Sequence, residues 1–533
     1  MNIRRIEESD VAAAIELYRT VYGEDFPFPQ FFDATWVKKG VFDDSLCWLV
    51  AEDEGRLMGS IAAMLDVGDE DDLVGEIGRL VVDPNARSHG AGTELAARLL
   101  EEVSPQLEWG FAECRTAHMG AQKILERLGF CHVGFEPLAY KLRERESMAF
   151  MCKLMGHAAR LRRNNPSVIP GVYPLACLAL ENCGLEPDLV IREGVEPYPY
   201  DGECEITELE NRAMYRLLRI APGRVENREV FGGMRLDYGF LKLQTSHARY
   251  LVASEAGAPT GAVGYVHDPL DSKVRFFELI AIDESTKGAL LRQAIETVER
   301  EHDPVYLQVD VAAHWPRMQQ TLHDLGFAPV AYCPAMVFEK VERLDVVKFV
   351  KLRVPWQLGE LQLTDDARRV QQVVERAFED QQRGSDLFAV TRRVGLFEGL
   401  SDREIVRLQS VCLPRRYKAG EVVFEEQEAS RSMFVVMSGA VDIVARETGE
   451  RLTTVGEGET FGEMALLEGL PRSASAVAKA DCDLLMMRAL DFSHLVDRDP
   501  TLGLRVMRNL ARLLSQRLRA TSVALGDFKR RLM

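Results

Sequence analysis

The sequence predicts an α+β multidomain chain: two mixed α/β domains followed by a β-roll that ends in a long helix. Three observations carry this. The chain has 533 residues, too many for one hydrophobic core, and about three domains is the expected division. A repeat runs at a single offset of 202 residues. Tyr250-Leu251-Val252-Ala253 answers Trp48-Leu49-Val50-Ala51, Gly257 and Gly261 answer Gly55 and Gly59, and Glu278 answers Glu76. From Gly420 onward, apolar and polar positions alternate around turns at Gly420 and Ser438-Gly439, as the strands of a roll do.

Composition narrows the class. A net charge of −18, with 47% hydrophobic and 28% charged residues, fits a globular enzyme and argues against broad binding to nucleic acid or anionic membranes. The N-terminus, MNIRRIEESD, has no apolar core of a signal segment, and no apolar run approaches spanning length. The cytoplasm is the expected location. The ten cysteines contain no C-x-x-C pair and no zinc-type His spacing. They read as reduced thiols, and no metal is expected.

The first domain is expected over 1–145. The run IRRIEESD, residues 3–10, opens as a short strand, Val11 to Tyr18 has helical apolar spacing, and Cys47–Ala51 and Leu57–Met64 form a hairpin about Glu54-Gly55. A strand from Glu76 to Val82 meets a turn at Asp83-Pro84. Arg87-Ser88-His89-Gly90-Ala91-Gly92-Thr93 then leads into a helix with Leu95, Leu99 and Val103 on one face. Glycines at a helix start leave main-chain N–H groups uncovered, the construction that holds a pyrophosphate. Alone, such a loop is often only a turn. In its strand–loop–helix setting it resembles motif A of the GNAT N-acetyltransferase superfamily, and HMGAQKILERLGF resembles the next motif.

The resemblance implies acetyl-CoA, held by Arg87 to Thr93 and by the strand residues Val81 and Val82. It also implies Glu76 as the base that takes the proton of an ammonium acceptor through water. The plainer reading of Glu76 is a carboxylate satisfied within the sheet. His118 stands where that family often has Asn, and Leu125 where it often has the Tyr that protonates the leaving thiolate, so the general acid is unassigned.

Residues 146–200 read as a helical bridge, with Met148, Met151, Cys152 and Met155 on one face. A second GNAT-like domain is expected over 201–345. After Glu278 it reads LIAIDESTKGALLRQ, without the Arg-x-x-Gly-x-Gly loop, and is therefore expected to be degenerate, serving to shape the acceptor cleft or relay a signal. A helical linker, 346–390, carries a Thr364 cap and an acidic first turn, as a lever or as a spacer.

The last domain, 391–533, centres on FGEMALLEGLPRSA, residues 461–474. Gly462 allows close backbone approach, Glu463 accepts from a hydroxyl, and Arg472 pairs with a phosphate through two parallel bonds. This grouping resembles the phosphate cassette of cyclic-nucleotide-binding domains of the catabolite activator type. The resemblance gives Glu463 the ribose 2′-hydroxyl and Arg472 the cyclic phosphate, with Ser473 a second phosphate donor. Gly462, Met464 and Ala465 form the turn into a short helix that favours the anion. Gln427 departs from the family's turn Gly. In the last helix, Leu504, Met507, Ala511, Leu514, Leu518, Thr521, Leu525 and Phe528 form a seam at spacings of three and four. It is expected either to make a homodimer or to lie over the ligand. Thr521-Ser522 resembles the pair that contacts adenine in that family, which favours cyclic AMP.

The expected function is transfer of acetyl from acetyl-CoA to an amine, a protein lysine, under cyclic AMP control. A small-molecule amine acceptor and a non-catalytic sensor or scaffold are the alternatives. The acidic charge and the short C-terminus disfavour a transcription factor.

Overall fold

A computed structural model describes the chain except residues 24–28, 68–70, 87–89, 143, 193, 201–204, 210–228, 232–247, 392–393, 401–403, 405–407, 409–411, 446–447, 469, 499 and 533. It divides into two compact units, Met1–Gln381 and Gln382–Met533.

The larger unit is built on one continuous sheet. Its strands are β1 (Asn2–Arg5), β2 (Leu46–Asp53), β3 (Arg56–Val67), β4 (Val74–Val82), β5 (Trp109–Arg115), β6 (Cys131–Lys141) and β7 (Arg145–Leu154) in the first half. A small separate pair, β8 (Ser167–Val168) and β9 (Val190–Ile191), follows. The second half has β10 (Glu205–Glu208), β11 (Val230–Phe231), β12 (Ala248–Glu255), β13 (Ala258–Asp268), β14 (Lys273–Ala281), β15 (Tyr306–Ala312), β16 (Ala328–Glu339) and β17 (Glu342–Leu352). The sheet order is β1-β2-β3-β4-β5-β7-β6-β16-β17-β15-β14-β13-β12-β10, with β11 attached to β15. Reading inward from either end gives the same arrangement, including one parallel pair per half, β4 with β5 and β14 with β15.

The halves meet where Gly134 of β6 faces Ala331 of β16. A Cβ on Gly134 would lie 2.3 Å from that of Ala331, so only glycine lets these strands approach. Buried polar contacts reinforce the seam. The Trp109 indole donates to the Pro334 carbonyl at 2.9 Å, Lys348 pairs with Glu136 at 2.7 Å, and the Phe338 N–H donates to Asp72 at 2.8 Å.

Two expectations need correction. The Met-rich run 145–154 is strand β7, not a helix, and helix in the bridge is confined to Ala158–Leu161 and Tyr173–Asn182. Six consecutive residues of β7 are buried. A strand covered on both faces loses its alternation and reads like a buried helix. Likewise β17 carries the second half of the sheet to Leu352, past the expected limit at 345. Beyond it, helix Asp365–Thr391 follows Thr364.

The smaller unit has two four-stranded sheets. One contains Cys412–Tyr417, Cys482–Arg488, Ser432–Ser438 and Thr460–Phe461; the other, Val422–Phe424, Ser475–Ala478, Ala440–Val444 and Arg451–Gly456. Phe424, Phe434, Val436, Val441 and Phe461 fill the space between them. Helix Pro500–Leu532 ends the unit. Its start is held by buried Asn509, which donates to the carbonyls of Leu396 and Glu398, each at 2.9 Å. Leu502, Val506 and Leu510 pack in a second cluster with Leu396, Phe397, Met433 and Val435, whereas Leu504 and Leu518 of the expected seam are exposed.

Candidate functional sites

In the first half, β4 pairs with β5 only from Val74 to Glu76, opposite Trp109 to Phe111. Beyond Glu76 the strands diverge. On that edge β4 has no further strand partner among the described residues, so main-chain N–H and C=O groups between Ile77 and Val82 face a gap. A register shift sits at this point, between the pairs Ala62–Gly78 and Ser60–Val81. Arg79, inside it, has φ 55°, and its carbonyl accepts from the Tyr18 hydroxyl at 3.1 Å. The helix Ala91–Val103 begins at the mouth of the gap. Its cap residue, Gly90, has φ 83° and no side-chain cap. Space around Gly90 is open, and the N–H groups of Ala91 and Gly92 precede the first helical bond. Thr93 donates to the Gly90 carbonyl at 2.9 Å. Arg87, Ser88 and His89 lie outside the described residues. The described part of the loop fits an anionic pyrophosphate: an open helix start with no side-chain cap, Glu94 being the one acidic residue in its first turn.

The gap opens into a cavity of about 560 Å³ lined by both halves of the sheet, including Glu76, Arg79, Glu113, His118, Leu125 and Tyr140. Glu76 is 13% exposed and ion-paired with Arg79, so the carboxylate is satisfied within its strand and also faces the cavity. Val81 is buried on β4 and pairs with Ser60, while Val82 pairs with Gly59. Tyr140 was not found from sequence. Its hydroxyl donates to Glu113, and burial together with that carboxylate pushes the phenol well above its usual range.

The second half closes the same places. After β14 and β15 pair over Lys273–Phe276 and Tyr306–Val309, β11 pairs with Asp310 and Val311 of β15. The strand gap is thus filled by the chain itself. Helix Glu284–His302 is capped by Asp283, whose carboxylate accepts from the Ser285 N–H at 3.0 Å. A Cβ on Gly288 would meet the carbonyls of Tyr198 and Pro199 at 2.7 and 2.4 Å. The Asp283 carboxylate and a covering segment occupy the helix start, leaving an anion no seat. Glu278, the repeat of Glu76, is buried and accepts from the Tyr250 hydroxyl at 2.8 Å.

In the smaller unit, Gly462 has φ 77° and precedes the short helix Glu463–Glu468. A Cβ there would meet Arg472 Nη1 at 2.7 Å. Arg472 is 2% exposed. It donates to the Ser432 carbonyl at 2.6 Å, the Gly462 carbonyl at 3.1 Å, Ser432 Oγ at 2.9 Å and Ser430 Oγ at 3.1 Å. Its guanidinium lies 3.9 Å from the centre of the Phe424 ring. Every one of these partners is neutral, and burial draws the guanidinium pKa downward against the pull of Glu428 and Glu463. Glu463 is buried; one carboxylate oxygen accepts from Arg517 at 2.7 Å and the other has no partner. A buried cation without a paired anion, beside a carboxylate with an open oxygen, suits a sugar phosphate.

Met464 is exposed, Ala465 buried and Ser473 exposed at the rim. Thr521 and Ser522 lie in helix Pro500–Leu532, their side chains outside the described residues. Arg517, on the same helix, was missed, since an Arg among several in QRLR carries no signal of its own. Gln427 takes φ 68° and donates its N–H to the Arg472 carbonyl at 2.9 Å. The glycine-like turn forms without glycine, removing the doubt over its geometry.

Comparison with known proteins agrees with this division. Residues 11–130 match the acetyltransferase (GNAT) family and residues 414–499 the cyclic nucleotide-binding domain. The chain carries a GNAT acetyltransferase domain and a C-terminal cyclic nucleotide-binding domain. Glutaminase 1 of Bradyrhizobium diazoefficiens is 37% identical over 123 residues, which is 23% of this chain and 20% of that protein. The cyclic AMP receptor protein of Thermus thermophilus is 38% identical over 133 residues, 24% of this chain and 60% of that one. The crystal structure of Thermus thermophilus catabolite activator protein aligns at 36% identity over 25% of this chain and 62% of that chain, with a TM-score of 0.23. The chain therefore spans only 20% to 60% of the length of these curated relatives. Among the described residues, no helix is long and apolar enough to cross a membrane, and no cluster of side chains could hold a metal ion.

Proposed function

We propose that the chain is a cytoplasmic N-acetyltransferase that moves acetyl from acetyl-CoA to an amine and is regulated by cyclic AMP. The observation that carries this is the open strand gap of the first half, which leads from an uncapped helix start to Glu76 while its counterpart in the second half is filled. Pyrophosphate would rest on the N–H groups at Gly90 to Gly92, and the pantetheine arm would run along the free edge of β4. Glu76, oriented by Arg79, takes the ammonium proton through a water. The freed amine attacks the thioester carbon, main-chain N–H groups of β4 stabilise the oxyanion, and the C–S bond breaks. Tyr140, a protonated hydroxyl in the same cavity, is positioned to supply a proton there. The second half of the sheet is then a degenerate GNAT copy that walls the acceptor cleft.

Cyclic AMP is favoured by Thr521-Ser522 and by the cyclic AMP receptor protein among the relatives. A route for regulation lies within the larger unit. Buried Gln122 donates to the Gln362 carbonyl at 3.0 Å and the Arg115 carbonyl at 3.2 Å, and accepts from the Thr364 N–H at 3.2 Å. The start of helix Asp365–Thr391 is thereby tied to the segment that supplies Arg115 and His118 to the cavity. The exposed Leu504 and Leu518 favour pairing of two chains through the last helix.

For the acceptor, motif resemblance favours a protein lysine. The cavity's charged far wall favours a small amine instead. Calorimetric titration of acetyl-CoA with and without saturating cyclic AMP tests the core proposal. A changed affinity, with the reciprocal change for the nucleotide, supports coupling; no acetyl-CoA binding in either condition overturns the enzyme reading in favour of a sensor.

A further inference from the structure

The wall of the cavity contributed by the second half carries charges that the acetyl-transfer scheme does not use. Arg275 of β14 lines the cavity beside Gln308, Asp310 and Lys348. Three of these have partners. Lys348 is paired with Glu136, and Gln308 donates to Asp310 at 2.8 Å. Arg275 differs: its Nε is buried with no acceptor, and no carboxylate among the described residues forms an ion pair with it. Burial disfavours its charge, and Asp310, Tyr140, Glu113 and Glu136 are near enough to outweigh that without bonding to it. Next to it, the Oε1 of Gln308, a residue only 1% exposed, also has no partner.

A half-buried guanidinium whose Nε is desolvated and unbonded, and a desolvated amide oxygen left open on the same wall, are costly unless something arrives to use them. Acetyl-CoA brings its anionic groups to the helix start at Gly90, so it does not account for this wall. An acceptor that presents an amine to Glu76 and an anion to Arg275 accounts for both ends.

Resting on the acetyltransferase reading above, we propose that the acceptor is a small amine bearing a carboxylate, held by Arg275 through two parallel N–H bonds, with Gln308 accepting from a donor on the same molecule. The carboxylate anchors the far end and so sets how far the amine reaches toward Glu76. A lysine within a folded protein lacks such an anion at a fixed distance from its amine and would leave Arg275 unanswered.

The test compares matched amines on the full chain with acetyl-CoA and cyclic AMP present: 6-aminohexanoate against hexylamine, and free lysine against a lysine peptide with both ends blocked. The carboxylate-bearing member of each pair is expected to have the higher kcat/KM. Arg275→Gln is expected to reduce that preference by about 10- to 100-fold, chiefly in KM, with acetyl-CoA affinity unchanged and a cooperative melting transition kept. Arg275→Lys, which keeps the charge but not the two-bond geometry, should fall between them. Equal use of both members, or a preference for the blocked peptide, with no effect of Arg275→Gln, overturns the inference and leaves the transferase reading standing. Transfer to none of the four, together with no calorimetric binding of acetyl-CoA, overturns that reading itself.

Discussion

Replacing Arg472 by leucine separates the nucleotide site from the rest of the molecule. The parent guanidinium is anchored by Ser430, Ser432 and Gly462 and by the Phe424 ring, all neutral. These contacts orient it but leave its charge unmatched. A cyclic phosphate would complete it with charge-assisted bonds, whose loss should cost about 2–4 kcal/mol, a rise in Kd of about 30- to 1000-fold. Stability should move much less. Leucine strands the Ser432 and Gly462 carbonyls but also removes a buried, unpaired cation, and these opposing terms leave a net change within about 2 kcal/mol. Isothermal titration of cyclic AMP gives the affinity. Thermal melting adds a second readout, because nucleotide at 100 times the parent Kd should stabilise the parent by about 2.7 kcal/mol and the variant far less. A variant that melts like the parent and binds cyclic AMP within about threefold of it would refute the assignment of Arg472 to the phosphate.

Three further outcomes follow from named contacts. Gln427→Gly relieves a left-handed backbone at φ 68° and should stabilise the smaller unit by about 0.5–1 kcal/mol in denaturant titrations, with nucleotide affinity unchanged. Burial opposes ionisation of Glu136, but Lys348, with Lys273 and Arg275, outweighs it and brings the carboxyl down to about 2. Because the folded value lies below the unfolded one, that stability is present above about pH 4.3 and is lost as pH falls toward 2. Lys348→Met should cost about 3 kcal/mol at neutral pH and shift acid unfolding of the larger unit to higher pH; an unchanged acid midpoint would argue against the pair. Gln122→Ala should leave each ligand's affinity near the parent value while reducing the mutual effect of cyclic AMP and acetyl-CoA, read from paired calorimetric titrations.

Local signals made much of the fold legible. The strand, turn and helix around Gly90 and the cassette around Gly462 each fall within a few dozen residues, where turn chemistry and periodicity decide conformation. What escaped depends on distant parts of the chain. Strand β7 gives no alternation because both its faces are covered. The pairing of Glu76 with Arg79 depends on a register shift against β3, and β11 is a two-residue strand that only its distant partner β15 defines. The absence of an Arg-x-x-Gly-x-Gly loop after Glu278 leaves the second half without the sequence pattern of a pyrophosphate seat. It does not show that the chain fills the vacated space, or that the same half would contribute Arg275 and Lys348 to the cavity of the first.

That filled gap bears on how such a chain can change over generations. A duplicated sheet that kept both clefts working would have each constrained by the same thioester chemistry. Here β11 fills the strand gap of the second half and Asp283 caps its helix, while the Gly134–Ala331 seam joins that half to the one whose gap is open. On the proposed function, substitutions in β14, β15 or β17 would alter which amine is accepted without touching the residues proposed to hold the acetyl donor, so the choice of acceptor could drift or be selected on its own.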